Sequence, residues 1–213
     1  MKQTHSRKTC ADSGKESAVS PVIGVMLMLV VTIIIAAFVS VFAGNTFGAT
    51  EVAPTASLDV SIISNGGDNK DQYVMLIKHL GGDSIASGDM QLVCYYTTAN
   101  GNMLGGTVST ISPAIKIGET NTKIPYLNDL SIGAPGSKGT NLGEFTMTSG
   151  DVLSTGNNLG TAMAVFGEVS TKTDEQIKQL YRDNGFKKGS IVEVEIIHTP
   201  SQKSVYKGKV TVE

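Results

Sequence analysis

The sequence predicts an α+β protein, in which a long N-terminal hydrophobic α-helix precedes a mainly antiparallel β-sandwich or barrel-like domain with one short helix. Three observations support this prediction. Residues 17–50 contain no charged side chain. The roughly 165 residues after them, enough for one globular core, alternate β-type runs with Gly-, Asn-, Asp- and Ser-rich turns. Among those later residues, only 174–183 carry helix-capping signals at both ends.

The apolar segment is the first element. It covers about 22 residues from Val22 to Ala43, close to the 20 that cross a bilayer. The β-branched run at 30–35 would favour a strand in water, but a single spanning segment must satisfy its own backbone hydrogen bonds as a helix. Ser20 can cap the helix, and Pro21 suits its first position. We therefore expect a helix from Pro21 to about Asn45, roughly 37 Å long.

The residues before this segment are basic. They include four Lys or Arg side chains, which places them in the cytoplasm and the large domain outside. Three interpretations follow. A secretory signal would be cut after a shorter apolar region, an uncleaved anchor fits the length, and a third possibility is a leader removed just before the apolar run, between Ala18 and Val19.

The stretch KESAVSPVIGVMLM at residues 15–28 resembles the N-terminal signature of archaeal type IV pilins. In that family a prepilin peptidase cuts just before the apolar stretch, which here implies cleavage between Ala18 and Val19. Ile23 stands where bacterial pilins usually carry Glu, and this favours the archaeal group. The residues that the resemblance implies for peptidase recognition are Lys15, Glu16 and Ser17.

The resemblance also implies an organisation and a function. Residues 1–18 would be a cleaved leader, 19–45 a membrane span that becomes the filament core, 46–57 a linker, and 58–213 an extracellular β-rich domain. The expected function is that of a structural filament subunit for surface adhesion. The expected partners are other copies of the chain, the prepilin peptidase, the pilus assembly ATPase, its membrane platform protein, and membrane lipid before assembly.

Two alternatives stay open. One is a monomeric membrane-anchored extracellular binding domain or minor pilin, and the other is an archaellin-type subunit of a motility filament. An extracellular enzyme on a stalk is disfavoured, because the sequence contains no phosphate-binding Gly-rich motif and no nucleophile elbow.

One stripe of the predicted helix contains mostly small residues at every fourth position, namely Gly24, Met28, Thr32, Ala36, Ser40 and Gly44. Small residues let helix backbones approach closely in an apolar environment. We therefore expect a helix-packing face formed by Gly24, Thr32, Ala36, Ser40 and Gly44.

The external domain is expected to contain strands at 58–63, 72–79, 90–97, 161–169, 190–198 and 203–212. The first two would flank a hairpin loop at 65–69. Thr173 and Gln176 form a capping box for the helix at 174–183, and Gly185 suits its C-terminus. The core residues expected from the closing hairpin are Ile191, Val192, Val194, Ile196, Ile197, Val205, Val210 and Val212.

Little in the sequence points to catalysis or to a cofactor. His79 and His198 each end an apolar strand, and we interpret them as edge or turn residues, not as catalytic or metal-binding groups. The Gly-Gly-Asp sequences at 66–68 and 81–83 are interpreted as turns. Calcium binding by Asp68, Asp71 and Asp83 would lack a complete EF-hand loop. We therefore expect neither a metal nor a catalytic site.

Net charge and cysteine content indicate which partners and which disulfides the chain can have. The net charge is −2, and the leader holds four basic and two acidic side chains, so the remainder sums to −4. Weak acidity argues against nucleic acid as a partner. Of the two cysteines, Cys10 lies in the expected leader. A mature chain would keep Cys94 alone, which is expected to be a buried thiol without a disulfide partner.

Overall fold

The computed structural model describes residues 21–46, 51–64, 72–167 and 169–213. The chain divides into two compact units, Met1–Ala49 and Thr50–Glu213. In the first unit, helix α1 covers Pro21–Thr46. Every side chain from 21 to 41 is exposed. The part Pro21–Val41 is long and apolar enough to cross a membrane.

The described residues of the second unit form short strands and two α-helices. Its strands are β1 (Ala56–Ser64), β2 (Tyr73–Gly82), β3 (Ile85–Ala86), β4 (Met90–Thr97), β5 (Met103–Val108), β6 (Ile115–Ile117), β7 (Thr120–Thr122), β8 (Tyr126–Leu127), β9 (Thr146–Met147), β10 (Val152–Ser154), β11 (Ile191–His198) and β12 (Lys203–Thr211). Its helices are α2 (Asn158–Phe166) and α3 (Asp174–Asp183).

Two four-stranded antiparallel sheets dominate this unit. The first has the order β1-β2-β10-β8, and the second has the order β12-β11-β4-β5. A parallel bridge between Ile62 and Val212 joins β1 to the end of β12. The Glu213 N–H donates to the Ile62 carbonyl at 2.9 Å, and the Ser64 N–H donates to the Glu213 carbonyl at 2.8 Å. The mainly antiparallel, barrel-like arrangement confirms the predicted fold class.

The second unit has one hydrophobic core, whose buried side chains come from positions along the chain between Leu58 and Val212. Alternate residues of β2 and β11 point into it, as the two-residue period of a half-buried strand requires. Its largest feature is a cluster of five aromatic rings with centroid separations of 4.8 to 6.0 Å. The members are Tyr73, Tyr96, Phe166, Tyr181 and Phe186.

Helix α2 corrects the prediction of a strand at 161–169 and of a single short helix. Asn157 caps this helix, because its side chain accepts a hydrogen bond from the Gly160 N–H at 2.9 Å. The helix packs against β4 and β5. Gly106 of β5 permits that contact, since an added Cβ would lie 2.2 Å from the Ala164 carbonyl oxygen. Burial on several sides removes the 3.6-residue period by which a surface helix is recognised.

Helix α3 agrees with its prediction. Both hydrogen bonds of the capping box between Thr173 and Gln176 are present, each from the backbone N–H of one residue to the side chain of the other. Gly185 follows the C-cap with a φ of +66°, a conformation that glycine adopts at little cost. The predicted pairing of the first two strands is also confirmed, since β1 and β2 are antiparallel neighbours. Their expected loop at 65–69 lies outside the described residues.

The closing hairpin of β11 and β12 is confirmed, but three of its expected core residues are not fully buried. Ile191 is exposed, and Ile197 and Val205 are half-buried. The reason is the strand period, because Val192, Val194 and Ile196 occupy the inward face and leave odd-numbered positions of β11 on the other.

The chain enters β1 through a clamp. The Thr55 N–H donates to the Asp83 carboxylate at 2.9 Å, and the Asp83 N–H donates to the Thr55 carbonyl at 2.9 Å. Gly82 allows this approach, because its φ is +104° and an added Cβ would lie 2.4 Å from the Thr55 carbonyl oxygen. The start of β1 is therefore fixed to the end of β2.

Candidate functional site

The exposed surface of α1 is the feature of this chain that most requires a function. Its side chains from 21 to 41 are apolar except for the hydroxyls of Thr32 and Ser40. The Thr32 hydroxyl donates to the Leu29 carbonyl at 2.8 Å, so the helix satisfies this polar group itself. Such a surface suits lipid or the apolar surface of other helices, and the helix is long enough to anchor the chain in a membrane.

The structure places part of the predicted packing face along α1. Gly24, Thr32, Ala36 and Ser40 lie on the exposed part of the helix, and Gly44 lies within its last turns. An added Cβ at Gly24 would meet no heavy atom within 4 Å. Each position in this fourfold series lies about 40° around the helix from the one before it, so the residues form a stripe that winds slowly around α1. The face is therefore open, and its role in packing stays a prediction.

The residues of the expected cleavage site lie outside the described residues. They are Lys15, Glu16, Ser17, Ala18, Val19 and the capping residue Ser20. Pro21 is the first described residue of α1, and the capping role of Ser20 and Pro21 stays a prediction. Cleavage and peptidase recognition stay predictions.

The two histidines of the second unit are buried, and neither lies on an edge strand, which corrects that part of their interpretation. The His79 Nε2–H donates to the Asp83 carbonyl at 2.9 Å. Its buried Nδ1 has no hydrogen-bond partner among the described residues. The His198 Nδ1 lies 2.8 Å from the Ser201 hydroxyl. Each histidine thus contributes to the local structure of a turn.

No group of three His, Cys, Asp or Glu side chains that could hold a metal ion occurs within the described part of the chain. Asp83, one of the three carboxylates considered for calcium, binds the Thr55 N–H instead. The other two, Asp68 and Asp71, lie outside the described residues.

Cys94 is a free, buried thiol on β4. Burial raises the pKa of this thiol to about 12, because the low-dielectric interior disfavours the charged thiolate. A thiol of this kind is inert as a nucleophile and packs as a small apolar side chain. The prediction of a buried structural thiol is confirmed.

Comparison with known proteins identifies the family. The profile of the archaeal type IV pilin N-terminal domain matches residues 17–58, a segment that includes all of α1. This chain belongs to the archaeal type IV pilin family. A 107-residue stretch of this pilin is also 36% identical to an uncharacterized protein of Archaeoglobus fulgidus, and the match covers 50% of this chain and 72% of that protein. No solved structure gives a significant match.

Family membership gives α1 a context. Archaeal type IV pilins are structural subunits, and an exposed apolar N-terminal helix agrees with that class.

The sequence analysis identified this helix but missed a second exposed apolar surface on the outer side of the second sheet. The signal that could have found it is the alternation along β4 and β11, which places Tyr95 and Ile191 opposite the core face.

Proposed function

We propose that this pilin is the structural subunit of an archaeal type IV pilus-like surface filament used for adhesion. A prepilin peptidase removes residues 1–18 by cutting between Ala18 and Val19, and the helix of residues 19–45 then polymerises into the filament core. Residues 46–57 link this helix to the domain 58–213, which forms the filament surface. The observation that supports this proposal best is that the exposed, charge-free α1 precedes, along the chain, a second unit with its own core.

The energetics of α1 support an assembly that requires work. Each of its large apolar side chains gains on the order of 1.5–3 kcal/mol when it leaves water. Lipid already provides most of this gain while the subunit is in the membrane, so packing in the filament core adds mainly close contacts between small residues. Extraction therefore requires the assembly ATPase and the membrane platform protein that the family resemblance implies.

The first test of this proposal is the N-terminus of the protein in material sheared from cells. We expect mass spectrometry to find Val19 as the first residue. A chain that still begins at Met1 and stays in the membrane fraction would contradict processing and favour a monomeric anchored ectodomain. A start near Asn45 would indicate an ordinary secreted protein.

The second test compares two identical substitutions on adjacent residues of α1. Ala36 lies on the small-residue stripe, and Ala37 lies about 100° around the helix from it. Ala36→Leu and Ala37→Leu change volume and hydropathy by the same amount, so membrane insertion is matched. We expect Ala36→Leu to reduce filament yield at least severalfold while the processed subunit accumulates in the membrane. Equal yields from both variants would remove the stripe from the packing face.

A further inference from the structure

The end of the second unit at which the chain enters β1 exposes large apolar side chains. We call this region the entry end and define it by the clamp between Thr55 and Asp83 and the loops beside that clamp. Val52 precedes the clamp and is 88% exposed, Leu80 lies near the end of β2 and is 61% exposed, and Leu130 follows β8 and is 81% exposed.

The pairing of the first sheet brings Leu80 and Leu130 to the same end. The turn before β10 lies beside Leu80, because the Ser149 hydroxyl donates to the Leu80 carbonyl at 3.3 Å. The Asn128 N–H donates to the carbonyl of Val152, the first residue of β10, at 2.8 Å. Since β10 lies between β2 and β8, Leu80 and Leu130 belong to segments roughly 10 Å apart across the sheet. Apolar side chains exposed together in this way indicate an interaction site.

The loop that carries Leu130 is held in one conformation by its own hydrogen bonds. The Asp129 carboxylate accepts from the Ser131 N–H at 2.8 Å and from the Ser131 hydroxyl at 2.7 Å. The Ile132 N–H donates to the Asp129 carbonyl at 3.2 Å, and the Ile132 side chain is 52% exposed. The loop therefore presents apolar side chains without a need for further ordering when it binds.

The charged groups of the entry end do not favour attraction to an anionic surface. Three carboxylates lie there, and each accepts a hydrogen bond from a backbone N–H, namely those of Asp83, Asp129 and Asp151. The basic groups beside them include Lys78, paired with Asp59 at 3.9 Å, and Lys138. The described residues of this end thus carry no excess of positive charge, so a contact with lipid would depend on apolar insertion.

The chain connection indicates which surface the entry end can meet. The part Pro21–Val41 of α1 can cross a membrane, and α1 ends at Thr46, nine residues before Thr55. Nine extended residues cover at most about 32 Å. The opposite end of the second unit lies beyond the ten residues of β2, which are roughly 34 Å long. Along the chain, the entry end is therefore the part of the second unit closest to a membrane that holds α1.

We propose that the entry end rests on the lipid surface of the membrane before assembly. Leu80 and Leu130 insert at the boundary between headgroups and acyl chains, and Val52 and Ile132 extend the contact. The contact orients the second unit on the membrane and is lost when α1 is extracted. This inference rests on the membrane-anchored stage of the proposed function, and it adds a lipid contact of the second unit to that of α1.

Tryptophan fluorescence tests the contact, because the chain contains no tryptophan and one introduced indole reports on one place. Full-length Leu130→Trp and Leu80→Trp are reconstituted in uncharged phosphatidylcholine vesicles, with part of the lipid brominated in the upper acyl chain. We expect bromine to quench the emission of both variants at least about twofold, since the indole lies at the acyl-chain boundary. High salt should leave this quenching unchanged, because apolar insertion is not screened.

Met103→Trp is the matched control. Met103 is 71% exposed and pairs with Thr97 at the end of β4, whereas β4 begins near the entry end at Met90. Its indole should be quenched little. Equal quenching of Leu130→Trp and Met103→Trp, or no quenching of either, would overturn the proposal. A blue shift of Leu130→Trp that grows with the protein-to-lipid ratio, without quenching, would show that another copy covers this surface and would overturn it as well.

A second variant tests whether Leu80 and Leu130 belong to one surface. Leu80→Asp, added to Leu130→Trp, should abolish most of the quenching, because a carboxylate is costly to bring into an apolar region. Met103→Asp in the same background should leave the quenching unchanged. Full quenching in the presence of Leu80→Asp would refute a shared lipid contact. Absence of the unsubstituted protein from the floated vesicle fraction would instead contradict the membrane anchor and with it the proposed function.

Discussion

Replacement of Gly106 by alanine tests the contact between α2 and the second sheet. An added Cβ would lie 2.2 Å from the Ala164 carbonyl oxygen, 2.6 Å from the Ala164 carbonyl carbon and 2.6 Å from the Met163 carbonyl oxygen. All three are backbone atoms of α2, so no rotation of a side chain can relieve the overlap. The helix must move away from β5 by about 1.3 Å to reach ordinary contact distances near 3.5 Å.

The expected cost follows from this displacement. Overpacking of a close-packed core costs about 1–3 kcal/mol, and sometimes more. Alanine recovers roughly 0.5–1 kcal/mol through the lower chain entropy of the unfolded state. The displacement also loosens Phe166, which belongs to the aromatic cluster. Taking the upper end of the overpacking range, we therefore expect Gly106→Ala to destabilise the second unit by about 2 kcal/mol, which corresponds to a Tm lower by roughly 4–8 °C for a domain of this size.

The assay is thermal unfolding of the full-length protein in detergent, followed by near-ultraviolet circular dichroism of the tyrosines. Tyr73, Tyr96 and Tyr181 lie in the aromatic cluster, so the signal reports on the second unit. Gly81→Ala is the control, because an added Cβ there meets no heavy atom within 4 Å. If both variants melt within about 2 °C of the unsubstituted protein, α2 does not pack on β5 as described.

Three further predictions concern single side chains. Maleimide labelling of Cys94 in the folded protein at pH 8 should be at least roughly 100-fold slower than in urea, because burial raises the pKa of its thiol to about 12. Thr173→Ala should cost about 1 kcal/mol in urea unfolding through loss of the capping box, whereas Thr171→Ala, an exposed residue outside the box, should be neutral. The hydrogen bond from Lys178 is the main cause that lowers the pKa of Asp174 below 3.8, so this carboxylate stabilises the fold above that pH and ceases to do so as the pH falls through its folded-state pKa. Asp174→Asn should then lower the Tm by roughly 1–3 °C at pH 7, and this difference from the unsubstituted protein should shrink as the pH is lowered below 3.8.

The sequence predicted correctly the two elements, α1 and α3, whose signals lie within a few consecutive residues. The capping residues define α3, and the uniform apolar run defines α1, because both signals are contained in a few consecutive residues. Residues 161–169 were predicted wrongly because α2 is buried on several sides, and its apolar run lacks the helical period that would separate it from a strand.

The remaining differences between the sequence-based predictions and the structure arise from strand pairing between distant segments of the chain. His79 and His198 are interior because β2 and β11 each have neighbours on both sides, and strand order is not contained in a local pattern. The exposed apolar surface on the outer side of the second sheet depends on the register of β4, β5 and β11, which brings together Tyr95, Met103 and Ile191. Sequence alternation can assign each of these side chains to an outer face, but only the tertiary structure makes them neighbours.

The clamp at the entry to β1 has a mechanical consequence. In the proposed adhesive filament, tension that reaches the second unit along its backbone would arrive first at Thr55. The paired bonds between Thr55 and Asp83 meet this load first. Behind them, the β1–β2 ladder continues over nine residue pairs. Hydrogen bonds that share a load along a strand resist it together, so in the proposed filament the start of β1 would be the mechanically reinforced end of the second unit.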